Sequence, residues 1–183
     1  MVNHETVSSF STFATMSTVT QCTGAKREIT STYTDLSGNQ CKTIKEDEET
    51  GSSVQECPGV GGLHLLVAND DARMSISVVS PDNKEHALDY WNIITRSFSS
   101  LGEKAEWRVV KRKGKITPIA LIVRVDSFEQ RNLDSPKKTS YLAVAKITPE
   151  EMCVTDKISP AVDANERARR AADNSANKAC LKP

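Results

Sequence analysis

The residues with the most chemical potential are acids and arginines: Asp70, Asp71 and Arg73 together, with Arg108 and Arg124 further along. A guanidinium grips a carboxylate through two parallel hydrogen bonds. Arginines within strands therefore either lock a neighbouring acid or hold a small anion or peptide carboxylate. The plainer expectation is a structural ion pair between strands. The chemical alternative is a hydrolase-type site assembled around Asp70, Asp71, Arg73 and Arg124. Asp71, Arg73, Trp107 and Arg124 are the candidate ligand contacts. Tyr90 and Trp91 make a candidate recognition patch, although Trp91 shares a helical face with Ala87 and Ile94, which favours packing.

Other motifs point to structure. Gly59-Val60-Gly61-Gly62 is glycine-rich, but a phosphate loop needs a following helix and a Lys with Ser or Thr. A strand is expected after it, so a turn is the better reading. The acidic run 46–49 lacks the alternate ligand spacing of a calcium loop and reads as a solvated hairpin tip. The basic run Lys111-Arg112-Lys113-Gly114-Lys115 has only Trp107 near it for base stacking, so it too reads as a charged tip. No G-x-S-x-G or Cys–His arrangement supplies a nucleophile. His4, His64 and His86 are too scattered for a zinc site. No metal and no cofactor is expected.

Five cysteines stand at 22, 41, 57, 153 and 180, with no C-x-x-C pair. Cys41, Cys57, Cys153 and Cys180 bracket short segments that read as ordered structure, and two local bridges join neighbouring elements. Cys41–Cys57 and Cys153–Cys180 are therefore expected, each contributing roughly 3 to 3.5 kcal/mol by loop entropy. Cys22 is left as the odd thiol. Bridges imply an oxidising compartment. The amino terminus disagrees, because residues 1–30 are Ser/Thr-rich and carry no apolar signal core.

These residues need elements to hold them. Residues 1–32 read as a flexible lead, and 33–183 as a single disulfide-tied α+β domain. Cys41–Lys45 and Ser53–Cys57 should pair as a hairpin. Strands are expected at Leu63–Ala68 and Arg73–Val79, the second alternating Met74, Ile76 and Val78 against polar partners. Ala87, Trp91, Ile94 and Phe98 predict a central helix over Lys84–Phe98. Ala105–Val110 and Ile116–Val125 form a hairpin about Lys113-Gly114, and Lys138–Ile147 is a further strand. Pro160–Lys178 is the clearest helix. Its alanine stripe faces a sheet, while Glu166–Arg170 and Arg169–Asp173 are spaced to pair at i, i+4. The fold class is α+β: an antiparallel sheet of about six to eight strands with one central and one C-terminal helix.

Lys plus Arg and Asp plus Glu both number 24 in 183 residues. A nucleic-acid binder usually carries a basic excess, so no nucleic-acid partner is expected. No apolar run approaches the ~20 residues of a membrane span.

Several of these segments together resemble a family of small exported proteobacterial proteins to which no activity is attached. The likeness runs through Tyr33-Thr34-Asp35-Leu36, Cys41, Cys57-Pro58-Gly59-Val60-Gly61-Gly62, Asp71-Ala72-Arg73-Met74-Ser75, Leu101-Gly102, Glu106-Trp107-Arg108, Ile119 to Arg124, Leu142 to Ile147, Cys153, and Asp163-Ala164-Asn165 to Cys180. It covers most of residues 33–180, and implies a leader peptide, paired cysteines and a periplasmic or secreted location. The expected function is a non-enzymatic binding or inhibitor-like module that contacts an envelope or extracellular protein. A small hydrolase and a structural component of the cell envelope are the alternatives.

Overall fold

The computed structural model describes residue 1 and residues 28–129 and 137–183. Most of the Ser/Thr-rich lead, Cys22, and the loop carrying Asn132, Asp134 and Pro136 lie outside the described residues. In chain order the strands are β1 (Ile29–Asp35), β2 (Lys42–Asp47), β3 (Ser52–Pro58), β4 (His64–Asp70), β5 (Arg73–Val79) and β6 (Glu85–Ala87). After a single helical turn, α1 (Tyr90–Ile93), come β7 (Phe98–Arg112), β8 (Lys115–Glu129), β9 (Lys137–Ile147), β10 (Met152–Ile158) and helix α2 (Ala164–Asp173). The fold is α+β, with ten strands in one sheet rather than six to eight. Strand β1 begins at Ile29, inside the stretch read as lead.

The sheet runs β10-β9-β8-β7-β5-β4-β3-β2, with β1 added to β7 and β6 to β5. Every pairing is antiparallel except the contact of β5 with β7, a parallel bridge at Arg73 and Ser99. Strand β7 explains the shape. Its first residues meet β5, and from Lys104 onward the same edge pairs with β1. The sheet thus divides into two wings at β7. Leu65, Val67, Ile76 and Val78 from one wing share a buried core with Trp107, Val109, Leu121, Val123 and Ala145 from the other.

Strands β8 and β9 are buried on both faces. Ala120, Ile122, Leu142 and Val144 turn away from that core and pack under Ala168 and Ala172 of α2. Alanines let the helix axis lie close to the strands, as the stripe predicts. Cys153 and Cys180 are bonded, as are Cys41 and Cys57. The backbone N–H of Leu181, beyond the first of these bridges, also bonds the Val154 carbonyl at 2.8 Å.

The central helix is the main correction. Glu85–Ala87 instead pairs with β5, Phe98 starts β7, and only Tyr90–Ile93 is helical. The residues buried there are Leu88, Tyr90 and Ile94; of the predicted stripe only Ile94 is among them. Asp89 precedes the turn at φ 48° and gives no side-chain cap, so nothing starts a longer helix there. The C-terminal helix is also shorter than expected, ending at Asp173 and followed by a 3-10 turn at Ser175–Asn177.

Candidate functional site

Along β7 the residues alternate, so Trp107 enters the core while Glu106 and Arg108 face α2. Their antiparallel partners Tyr33 and Ser31 stand on the same face. The result is a continuous polar network beneath the helix. Arg108 binds Asp173 through Nε–Oδ1 at 2.7 Å and Nη2–Oδ2 at 2.9 Å. Its Nη1 donates to Ser31 Oγ, which donates to Glu106 Oε1. Arg169 grips both Glu106 oxygens, at 2.6 and 3.2 Å, and also reaches the Tyr33 hydroxyl at 3.2 Å. Burial works against ionisation of Glu106, but hydrogen bonds from Arg169 and Ser31, with the nearby charges of Arg169 and Arg108, outweigh it and hold the carboxyl below its ordinary value.

Beside this network lies a cavity of 140 Å³ lined by Tyr33, Lys104, Glu106, Ile122, Arg124, Leu142, Asn165 and Ala168. Arg124 enters it from the middle of β8. Opposite, the β7–β8 register slips between Leu101 and Ala105, and a Cβ on Gly102 would lie 2.9 Å from the Arg124 Cβ. A glycine is needed where the arginine stem crosses the bulge.

The other wing carries a larger groove of 380 Å³ over β2, β3 and β4. Val54 and Ala68 form its floor with Ser52 and Ser53, Trp91 stands at its side, and Lys45, Asp47 and Asp70 edge it. Trp91 was expected to pack in the core. It is half-buried at the groove instead, fixed by its Nε1 donating to the Arg73 carbonyl at 3.0 Å. Asp70 accepts from Ser52 Oγ at 2.9 Å. The adjoining strand β2 is exposed throughout and carries a bulge between Thr43 and Lys45.

The sequence-derived candidates do not converge. Asp71 and Arg73 pair at 2.7 Å, and the Arg73 guanidinium lies 5.4 Å over the Phe98 ring in a separate depression shared with Arg96. Trp107 has no exposed surface and donates its Nε1 to Thr34 Oγ1 at 2.9 Å. Asp70, Arg73 and Arg124 thus line three different cavities. The basic run sits at the β7–β8 tip. At the β2–β3 tip, Asp47 Oδ1 accepts from the backbone N–H groups of Glu49 and Thr50, at 2.9 and 3.2 Å. Sequence reading missed Glu106, Arg169 and Asp173 as one network. The alternation Glu106-Trp107-Arg108 was the available signal, since it places both charges on one face.

Comparison with family models, with curated proteins and with solved structures finds no match. Fold and sites together define an α+β protein with a divided sheet, two disulfides and shallow surface cavities. Among the described residues no helix is long and apolar enough to cross a membrane.

Proposed function

We propose that the protein is a non-enzymatic binding module of the periplasm or the extracellular space, whose groove over β2–β4 takes a short loop of a partner polypeptide. The groove carries this reading: a small-residue floor receives an apolar side chain, Trp91 flanks it, and charged residues of both signs edge it. Aromatic anchors beside small pockets dominate many protein interfaces. The Cys41–Cys57 bridge supports the location and pins the base of the hairpin that forms one wall. The charges and bulge of β2 discourage strand addition, so the face rather than the edge is the docking surface. Asp70, Arg73 and Arg124 line three different cavities, which favours binding over a hydrolase site built from them.

The test is affinity capture from cell-envelope extract with the wild-type chain, Ala68→Arg, and Arg112→Ala as a remote control. One reproducible polypeptide should be retained by wild type and control and fall at least tenfold with Ala68→Arg. Recovery of no partner, or equal recovery by all three, overturns the reading and leaves a structural role in the envelope.

A further inference from the structure

We propose that the cavity between β8, β9 and the first turn of α2 is a carboxylate-binding site, with Arg124 holding the anion and Ile122, Leu142 and Ala168 receiving a small apolar substituent. The site is independent of the groove on the other wing.

The charges around Arg124 carry the argument. Arg108 is spent on Asp173, Arg169 on Glu106, and Lys104 on Asp35 at 2.6 Å. Asp126, two residues along the same face of β8, is taken by Lys138 at 2.7 Å and by Ser140. Arg124 has no acid within 4 Å among the described residues, and is the one strand arginine facing α2 left without one. The cavity does hold a carboxylate, Glu106, but both of its oxygens are engaged. Glu103 acts on Lys104, and Asp126 feels the charge of Arg124, but neither carboxylate comes within 4 Å of the Arg124 guanidinium.

Position and shape agree with that charge. The glycine and register slip opposite Arg124 seat its stem in the sheet, and bulges commonly re-aim side chains at binding sites. The floor is apolar and its residues are buried. Asn165 at the rim adds an amide donor, and the Tyr33 hydroxyl a further polar group. At roughly 30 Å³ per water-sized volume, 140 Å³ takes a carboxylate with a short branched or straight alkyl group. A free short-chain acid and the C-terminal residue of a peptide share this chemistry.

The test is a titration of isotope-labelled protein, followed by amide NMR, with isobutyrate, a tripeptide ending in free Val, and the same tripeptide as its amide. Saturable shifts should centre on Gly102, Asn165 and Ala168, with a dissociation constant on the order of 1 mM or tighter for one or both acids. The amide should bind at least tenfold more weakly. Arg124→Met should lose at least tenfold, and Arg124→Lys less; Arg124 is exposed, and an unchanged amide spectrum elsewhere verifies the fold. Binding of isobutyrate alone assigns a free acid, and stronger binding of the tripeptide assigns a chain terminus. No saturable shift with either acid, shifts centred on Arg73 and Arg96, equal binding of the amide, or unaltered binding by Arg124→Met overturns the proposal.

Discussion

Arg108 and Asp173 meet fork to fork across 65 residues of sequence, joining the middle of β7 to the last turn of α2. Only 10% of the Arg108 side chain and 28% of the Asp173 side chain are exposed. Removing either partner leaves the other charge poorly hydrated. Arg108→Met and Asp173→Asn should each lower unfolding free energy by about 2–3 kcal/mol in urea titrations. The double variant should lose less than the sum, because it strands neither charge. Full additivity would mean that the pair does not couple helix to sheet.

Acid should loosen the same network. The folded-state pKa of Glu106 lies below the ordinary 4.5, so its contribution is complete above that value and is lost as the pH falls through the folded one. Asp126 behaves likewise below 3.8: burial opposes its ionisation, but hydrogen bonds from Lys138 and Ser140, with the charges of Lys138 and Arg124, prevail. Thermal melts should therefore hold steady above pH 4.5 and fall on further acidification. Glu106→Gln should melt lower at neutral pH and lose less stability across the acid range. An acid dependence identical to wild type would remove Glu106 from the account.

What the sequence discloses follows the range of the interactions. The β2–β3 hairpin and its bridge are local, and alternation around an acidic tip is enough to find them. The β7–β8 hairpin is legible for the same reason, with Lys113 and Gly114 both at positive φ in a two-residue turn. The segment 84–98 misleads because apolar residues at helical spacing serve different surfaces: Leu88, Tyr90 and Ile94 fill the core, Trp91 flanks a groove, and Phe98 starts a strand. Backbone bonding to β5 wins over a helix that lacks a cap. Arg169 and Asp173 were expected to pair with each other along α2. Each instead finds a partner on β7, more than 60 residues away, which no local pattern encodes. Arg124 is a candidate ligand contact in the sequence, but nothing there shows what it faces. That no acid lies within 4 Å of it among the described residues is visible once the other charges are placed.

The two bridges should prove unequal in consequence. Separations of 16 and 27 residues give about 3 and 3.5 kcal/mol by loop entropy. Non-reducing peptide mapping should find Cys41 linked to Cys57 and Cys153 to Cys180. The double variant Cys153→Ser/Cys180→Ser should speed amide exchange in α2 and at Leu181, because the bridge holds the chain beyond the helix against β10. Cys41→Ser/Cys57→Ser should speed exchange in β2 and β3 and leave α2 unchanged. Free thiols at all four positions would sink both expectations.

Tyr90 offers a substitution expected to help. Its ring is 1% exposed, and its hydroxyl has no hydrogen-bond partner among the described residues. Burial also pushes its pKa upward, keeping the phenol neutral. A buried hydroxyl without a partner costs roughly 1–3 kcal/mol in lost hydration. Tyr90→Phe keeps the ring and removes that cost, so it should raise stability by about 1 kcal/mol. A loss of similar size in chemical denaturation would show that the hydroxyl is satisfied in solution.

The turn between β4 and β5 holds a second such position. Asp71 and Ala72 both have positive φ, 50° and 53°. An aspartate visits this region at little cost, but alanine places its Cβ against the following carbonyl, at about 1 kcal/mol or more. The conformation persists because both flanks are fixed. Asp70 pairs with Arg73 across the turn, and the Ala72 carbonyl accepts from the Ser99 N–H at 2.9 Å, next to the parallel bridge that joins the two wings. Ala72→Gly relieves the strain, although the unfolded chain gains freedom with glycine. Where φ is positive the first effect dominates, and Ala72→Gly should raise the melting temperature by a few degrees, whereas Ala72→Val should lower it further than an exposed turn normally allows. Equal melting temperatures for the three proteins would mean that the turn relaxes in solution and that Ser99 does not hold it.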